Sequence, residues 1–397
     1  MDGYCDPHQN LPGGSVREGS LLNLQAMKIG IDAHAAERDG TGNCTYIRNL
    51  LLALKEIDER NEYILYATDK NHAFYDNFEN SLNFRIKQLP VRNPFLRIPF
   101  FLAWQTYRDS LDILHVQYNA PPFHRGKLVV TIHDLGFLFH PESFSKLEVI
   151  RLKILTRKTA RKSCSIITGS DYSKKDIVQA YDLEPGKVAV VQHGISSAFR
   201  PYPNRASFQN VLDKHGIQGR YILSVGRLNP RKNLDSLVKA FSNLKTTHQI
   251  PHKLVIVGQD DFETRRFMQV IENNALSHDI IMTGFVPDED LPFLYCGADV
   301  FVYPSLFEGV GLPVLEALKC GVPVVTSNTT SLKEIVGQAG LTVDPLDVKG
   351  ISQAIFQLIC DGNLRVSLLK KGFDRADLFS WKETAQKTLF IYEEIFS

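Results

Sequence analysis

Two glutamates, Glu308 and Glu316, flank a Gly-Val-Gly-Leu-Pro run in the stretch FEGVGLPVLEA at 307–317. An ionised carboxylate only accepts hydrogen bonds, so each can take two from a vicinal diol. Gly309 and Gly311 would let a phosphate come close to the backbone. Pro313 suits the first position of a helix that Gly321 stops. The leading N–H groups at Gly311 and Leu312 then form an anion site. A solvated loop charge followed by an acidic helix start, worth about 0.3–1 kcal/mol, would look the same in isolation. A second cluster separates the two readings. SVGRLNPRKN carries Arg227 and Lys232, a planar fork and a compact charge suited to a diphosphate and expected in solvent-lined loops. A solvated basic turn explains one such cluster alone, but two of them on one domain favour an anion site.

Weaker signals lie in the first half. Gly40-Thr41-Gly42 forms a turn before a helix, with Asn43 as its expected cap. It is not a dinucleotide fingerprint, because Thr45 takes the place of the third glycine, and no lysine makes it a phosphate-binding P-loop. LVVTIHDLGF ends a strand with His133 and Asp134, and a histidine there can hydrogen-bond a sugar hydroxyl. Ser170 falls at another strand end, while Ser173 with Asp176 reads as a capping box. Asp288-Glu289-Asp290 follows Pro287 and reads as a helix start rather than a metal site. No Gly-x-Ser-x-Gly hydrolase elbow is visible.

These residues fall at the ends of β-rich runs that alternate with helical stretches, the pattern of parallel sheets with crossover helices. Runs at 28–32, 63–67, 84–89, 113–117, 128–133, 165–170 and 188–192 form one set. After a proline-containing connection at 196–204, a second set occupies 221–226, 253–258, 280–284, 300–305, 322–327 and 341–345. The expected fold is α/β, with two doubly wound Rossmann-like domains facing a central cleft at their strand ends. The expected division is a disordered extension over 1–26, a first domain over 27–200, a second over 201–378 and a final helix over 379–397 packing back across the cleft.

With 397 residues, 44% of them apolar and 22% charged, the chain has an ordinary globular composition. A net charge of +1 argues against a nucleic-acid partner. The six cysteines show no Cys-x-x-Cys pairing, which suggests a reduced, cytoplasmic protein with no zinc site. No apolar run approaches the roughly 18–20 residues of a membrane span. The stretch 146–163 nonetheless carries seven basic residues against Glu148, with Leu147, Ile150, Ile154 and Leu155 at helical spacing. That pattern, with the aromatic run NPFLRIPFFLAW upstream, fits either a crossover helix or reversible contact with an anionic membrane.

Taken in order, PSLFEGVGLPVLEALKCGVPVVTS with its Glu-x7-Glu spacing, GRLNPRKN, GIDAH, TIHDLGF, GSDYS and VVQHGI resemble glycosyltransferase family 4, the retaining GT-B enzymes. SNTTSLKEIVGQAGLTVDP and IHDL are most similar to bacterial mannosyltransferases of surface-polysaccharide assembly. The resemblance implies a co-substrate rather than a bound cofactor: a nucleotide-diphosphate sugar, with GDP-mannose ahead of a UDP-hexose. It implies no metal requirement and a glycan or lipid-linked acceptor. It assigns Arg227 and Lys232 to the diphosphate, Glu308 to the donor sugar, Glu316 to the ribose, and His133 to the transferred sugar. Gly42 would lie beside the phosphates and Val286 beside the base. Gly40-Thr41-Gly42-Asn43-Cys44 departs from the family's usual Gly-Ile-Gly-Arg-Tyr, so that loop supplies no cation. A nucleotide-sugar 2-epimerase-like isomerase and a non-catalytic nucleotide-sugar binding protein are the alternatives. A product assay separates both from a transferase.

Overall fold

Each β-rich run forms a strand in the computed structural model, which describes residues 25–259 and 264–397. The first sheet holds β1 (Lys28–Asp32), β2 (Glu62–Ala67), β3 (Phe84–Gln88), β4 (Ile113–Gln117), β5 (Lys127–Thr131), β6 (Ser165–Thr168) and β7 (Val188–Val190). Their order is β3-β2-β1-β4-β5-β6-β7, all parallel. The second holds β8 (Tyr221–Val225), β9 (Lys253–Val257), β10 (Ile280–Gly284), β11 (Val300–Tyr303), β12 (Val324–Ser327) and β13 (Leu341–Val343). They run in the order β10-β9-β8-β11-β12-β13, again parallel. Each sheet winds outward in both directions from its first strand. That leaves a switch point between β1 and β4 and another between β8 and β11, where open α/β sheets take ligands.

The expected extension over 1–26 lies, apart from its last two residues, outside the described residues. Met27 is already core: it is buried, and its N–H donates to Asn61 Oδ1 at 2.8 Å. The last helix, Trp381–Phe396, returns to the first domain, where Trp381, Ala385, Ile391 and Tyr392 pack with Ile47, Leu50 and Leu54 of the helix Gly42–Ile57. A buried hydrogen-bond chain fixes it: Tyr392 Oη meets His115 Nδ1 at 2.5 Å, His115 Nε2 meets Thr131 Oγ1 at 2.7 Å, and Thr131 meets Tyr46 Oη at 2.9 Å. Burial pushes the His115 imidazole down to about 3, so it stays neutral in that chain.

Local capping differs from the sequence reading in four places. Thr41, not Asn43, caps the helix Gly42–Ile57 by accepting from the Cys44 N–H at 3.2 Å. Ser170, not Ser173, caps the helix Asp171–Tyr181, because an extended residue at the strand exit already points its hydroxyl at the Ser173 N–H (3.2 Å). Pro313 is the second helical residue, after Leu312, with Gly311 as the N-cap. Asp290 precedes the helix Leu291–Cys296 without capping it, since its carboxylate instead accepts from Lys214 Nζ at 2.7 Å and His215 Nε2 at 2.8 Å.

The basic helix spans Lys146–Lys162. It buries Val149, Leu152, Thr156, Thr159 and Ala160, whereas Leu147, Ile150, Ile154 and Leu155 stay exposed. The apolar stripe legible in the sequence is therefore not the face that packs on the sheet. Val149 and Leu152 pack on the first domain together with the smaller Thr156, Thr159 and Ala160, and the other aliphatic residues point to solvent.

Candidate active site

The second domain's switch point joins two loops. The loop after β8 makes a short 3-10 turn over Pro230–Lys232, and Asn229 caps it through the Arg231 N–H at 3.1 Å. The Arg231 carbonyl then accepts from the Leu306 N–H at 2.7 Å and Ser305 Oγ at 2.9 Å. These backbone ties hold the loop after β11 beside the loop after β8 and bring Lys232 to Glu308.

Lys232 Nζ lies 2.5 Å from Glu308 Oε1 and 2.5 Å from Tyr303 Oη. Glu308 Oε1 also accepts from Ser305 Oγ at 2.7 Å and Tyr303 Oη at 2.9 Å. The pair is largely removed from solvent, with side-chain exposures of 12% and 8%. Burial alone would raise the Glu308 carboxyl, but the Lys232 and Arg231 charges outweigh it and hold it below the usual value. All three bonds land on Oε1, so Oε2 is the oxygen available to a ligand.

Glu316 behaves oppositely. Burial pushes its carboxyl up to about 7; the bond from Tyr295 Oη to Oε2 (2.7 Å) pulls the other way, and the Asp288 charge adds to the rise. It keeps partial solvent access on the first turns of Leu312–Lys319. Two carboxyls eight residues apart thus differ in ionisation, because among the described residues only Glu308 has cations within reach.

Gly309 and Gly311 serve packing as well as any ligand. A Cβ on Gly309 would meet the His133 carbonyl oxygen at 2.3 Å, so the two domains touch through bare backbone there. The Gly309 carbonyl accepts from Ser170 Oγ at 2.6 Å and Ser173 Oγ at 3.2 Å. Gly311 has φ +87°, the left-handed turn that opens the helix, and a Cβ there would meet Leu332 at 2.5 Å. The first intrahelical bond runs from the Val314 N–H to the Gly311 carbonyl, so the N–H groups at Gly311 and Leu312 precede the ladder.

From the first domain, His133 is buried and its Nε2 pairs with Gln117 Oε1 at 2.8 Å. Burial pushes its imidazole down to about 3, and the neighbouring His115 adds to the fall, so it is a neutral hydrogen-bonding group. Gly42 opens its helix facing open space. Arg227 and Val286 join Gly42, His133, Lys232, Glu308 and Glu316 along one cleft of about 1280 Å³. The structure therefore brings every residue singled out for the site to a single cavity. Arg227 is exposed, in line with the expected solvent-lined loop, whereas Lys232 is not: it is the counter-ion of a buried carboxylate.

Sequence reasoning missed Arg231, whose Nη1 lies 3.5 Å from Asp134 Oδ2 across the domain boundary. Its signal was simple adjacency to Lys232, yet nothing in spacing says that both neighbouring cations turn inward, one to Asp134 and the other to Glu308. His193 was missed too. It is buried against the cleft, 5.4 Å from the His133 ring and 5.8 Å from the Trp381 ring.

The residues on either side of this cleft match two family models: Glycosyltransferase Family 4 over 42–199 and Glycosyl transferases group 1 over 208–375. O-antigen chain mannosyltransferase B of Escherichia coli is 36% identical over 297 residues, covering 73% of this chain and 76% of that protein. Sucrose-phosphate synthase from Thermosynechococcus elongatus shares the fold with a TM-score of 0.75 at 23% identity, over 93% of this chain and 99% of that one. HepE from Anabaena, solved in complex with UDP-glucose, does so with a TM-score of 0.71 at 19% identity, over 93% and 100%. The two facing doubly wound domains are those of a GT-B glycosyltransferase. The chain belongs to glycosyltransferase family 4 and is a transferase enzyme.

Removing Lys232 leaves Glu308 buried without its nearest cation. Lys232→Ala is expected to cost about 3–5 kcal/mol in urea denaturation, and Lys232→Met combined with Glu308→Gln to recover most of it. A single variant as stable as the wild type would show that the pair is not the constraint it appears from its burial.

Proposed function

We propose that this enzyme transfers mannose from GDP-mannose to a glycan or lipid-linked acceptor with retention of anomeric configuration. The observation that carries this reading is the buried Lys232–Glu308 pair, set beside Arg227 and between two helix starts, at Gly42 and at Leu312. Such a cradle favours a diphosphate, because cations and free N–H groups converge on one anion. The name of the Escherichia coli relative, a mannosyltransferase of O-antigen chains, supports mannose as the sugar and a surface glycan as the acceptor.

In this reading Glu308 Oε2 accepts from hydroxyls of the donor sugar, Glu316 from the ribose, and backbone near Val286 meets the base. Neutral His133 hydrogen-bonds the transferred sugar without adding charge beside its anomeric carbon. The bond from that carbon to the diphosphate oxygen breaks, the acceptor oxygen bonds the carbon on the same face, and the departing diphosphate takes the acceptor proton. No protein nucleophile is required. Arg227, Lys232 and the helix-start N–H groups stabilise the charge that develops on the leaving group. Asp290 is occupied by Lys214 and His215, which supports a diphosphate neutralised by the protein's own cations rather than by a metal.

We also place the enzyme on a membrane surface. Leu147 and Ile150 of the basic helix are 76% and 56% exposed, and Phe95, Phe100 and Trp104 lie 60%, 63% and 58% exposed on the preceding segment. The two elements meet where the Arg151 guanidinium lies 5.6 Å from the centre of the Phe95 ring. Basic residues around exposed aliphatic and aromatic side chains complement an anionic lipid surface, each contributing about 1 kcal/mol near it.

Three measurements test these assignments. Incubation with GDP-mannose and an α-mannoside acceptor is expected to give an α-linked product by proton NMR, undiminished by EDTA; a β-anomeric signal, or loss restored by Mg²⁺ or Mn²⁺, overturns the mechanism. Because the Glu316 carboxyl titrates near 7, above its ordinary value, the ionised form that accepts two hydroxyls appears only as pH rises through that value. GDP-mannose affinity is therefore expected to tighten by up to about tenfold between about pH 6 and about pH 8, with a flat profile in Glu316→Gln. Co-sedimentation is expected with vesicles containing phosphatidylglycerol, weakened by salt and by Ile150→Glu. Equal binding to neutral vesicles refutes the membrane assignment.

A further inference from the structure

The first domain's switch point holds a cluster that the donor site does not use. Asp32 ends β1 and Gln117 ends β4, adjacent strands in the sheet. Asp32 Oδ1 accepts from Arg97 Nη1 at 2.7 Å and pairs with His34 Nδ1 at 2.8 Å. Asp32 and Arg97 side chains are 2% and 1% exposed, and the buried Arg97 Nε has no hydrogen-bond partner among the described residues. Asp32, His34 and Arg97 all line the same cleft as Lys232 and Glu308. Arg97 enters through an unusual turn. Pro99 lacks the N–H that a regular helix needs, and the backbone widens into a π-helical stretch over Arg97–Leu102.

A structural ion pair has no use for an orphaned donor, since a buried N–H without a partner costs stability. Here the orphan belongs to a side chain that lines a cleft at a sheet's switch point. The carboxylate beside it keeps Oδ2 out of its ion pair, because both bonds land on Oδ1. A carboxylate oxygen outside the ion pair and an unpartnered N–H of the paired guanidinium together can receive a vicinal diol, with one hydroxyl donating and its neighbour accepting.

We propose that Asp32, His34 and Arg97 form an acceptor subsite for a sugar residue adjoining the one that receives the transferred sugar. The placement follows from the sheet. His133 follows β5, two strands from β1, and strands about 4.8 Å apart put Asp32 about 10 Å away across the sheet edge. That distance suits a neighbouring residue of an oligosaccharide rather than the reacting sugar itself. Arg97 Nε and Asp32 Oδ2 take the hydroxyl pair, and the partly exposed His34 covers its outer edge. The enzyme then recognises an oligosaccharide end, a preference that the donor site cannot supply. This inference rests on the transferase reading above.

The test compares paired mono- and disaccharide acceptors: p-nitrophenyl mannosides, glucosides, galactosides and N-acetylglucosaminides, each with GDP-mannose as donor. At least one disaccharide is expected to exceed its monosaccharide in kcat/KM by about tenfold or more, equivalent to about 1.4 kcal/mol. Arg97→Lys, which keeps the charge on Asp32 but removes Nε, and His34→Ala are each expected to bring that ratio toward one by raising the disaccharide KM. Calorimetric GDP-mannose affinity on the same preparations reports the donor site. His34→Ala decides the matter should Arg97→Lys fail to fold. Transfer without any disaccharide preference in the wild type, or variants that keep the preference, overturns the subsite and leaves the transferase reading standing. Absence of both nucleotide-sugar binding and transfer overturns that reading, and the subsite with it.

Discussion

The buried Lys232–Glu308 pair is the constraint on which the cleft is organised. Taking two charges out of water is unfavourable by several kcal/mol per ion unless each finds close partners. Glu308 finds them in Lys232, Tyr303 and Ser305, drawn from β11 and from the two loops that follow β8 and β11. Those loops cannot separate without stranding a charge. The Arg231 carbonyl, accepting from Leu306 and Ser305, makes the same tie through the backbone. The site's charged groups are thus preorganised by the cost of any other arrangement.

The second domain's loop is also the contact with the first. Gly309 packs on the His133 carbonyl and accepts from Ser170 and Ser173. Nearby, the Glu334 carboxylate receives the Asp171 and Tyr172 N–H groups at 3.1 and 3.2 Å, the open start of a first-domain helix. An anion at a helix start is favoured by the unsatisfied N–H groups there. Arg231 adds an ion pair to Asp134 across the boundary. One short segment therefore links the buried ion pair to the placement of the facing domain.

Electrostatics divides the work between carboxyls that look alike. Glu308 is held ionised by adjacent cations, Glu316 is pushed toward neutrality by burial, and Asp32 is held well below the usual carboxylate range, burial being outweighed by Arg97 and His34. The polar walls thus offer several acceptor groups of different strength, each with its charge set by its own neighbours. The exposed apolar side chains of Phe95, Phe100 and Trp104 sit on the same segment as Arg97. One stretch of chain therefore serves both the outer surface and the cleft.

Much of this was legible in the sequence. Parallel strands buried on both faces read as apolar runs whatever their partners, so all the strands, their parallel pairing and the two-domain plan follow from local pattern. Strand-end loops inherit that register, and for this reason Arg227, Lys232, His133, Glu308 and Glu316 were nameable as cleft residues. Local pattern is blind to direction within a loop. Arg231 and Lys232 are adjacent, yet which of them meets Glu308 depends on a 3-10 turn and on backbone bonds to residues about 75 positions away. The stripe Leu147, Ile150 and Ile154 has helical spacing, but spacing does not say whether a stripe faces the sheet or solvent. The Asp32–Arg97 pair joins residues 65 apart, and the domain contact at Gly309 is set by a carbonyl oxygen no sequence displays. Sequence by itself determined which elements form and which residues lie at their ends. Only the tertiary structure decided which charges meet in the dry interior, because burial energies depend on partners brought from elsewhere in the chain.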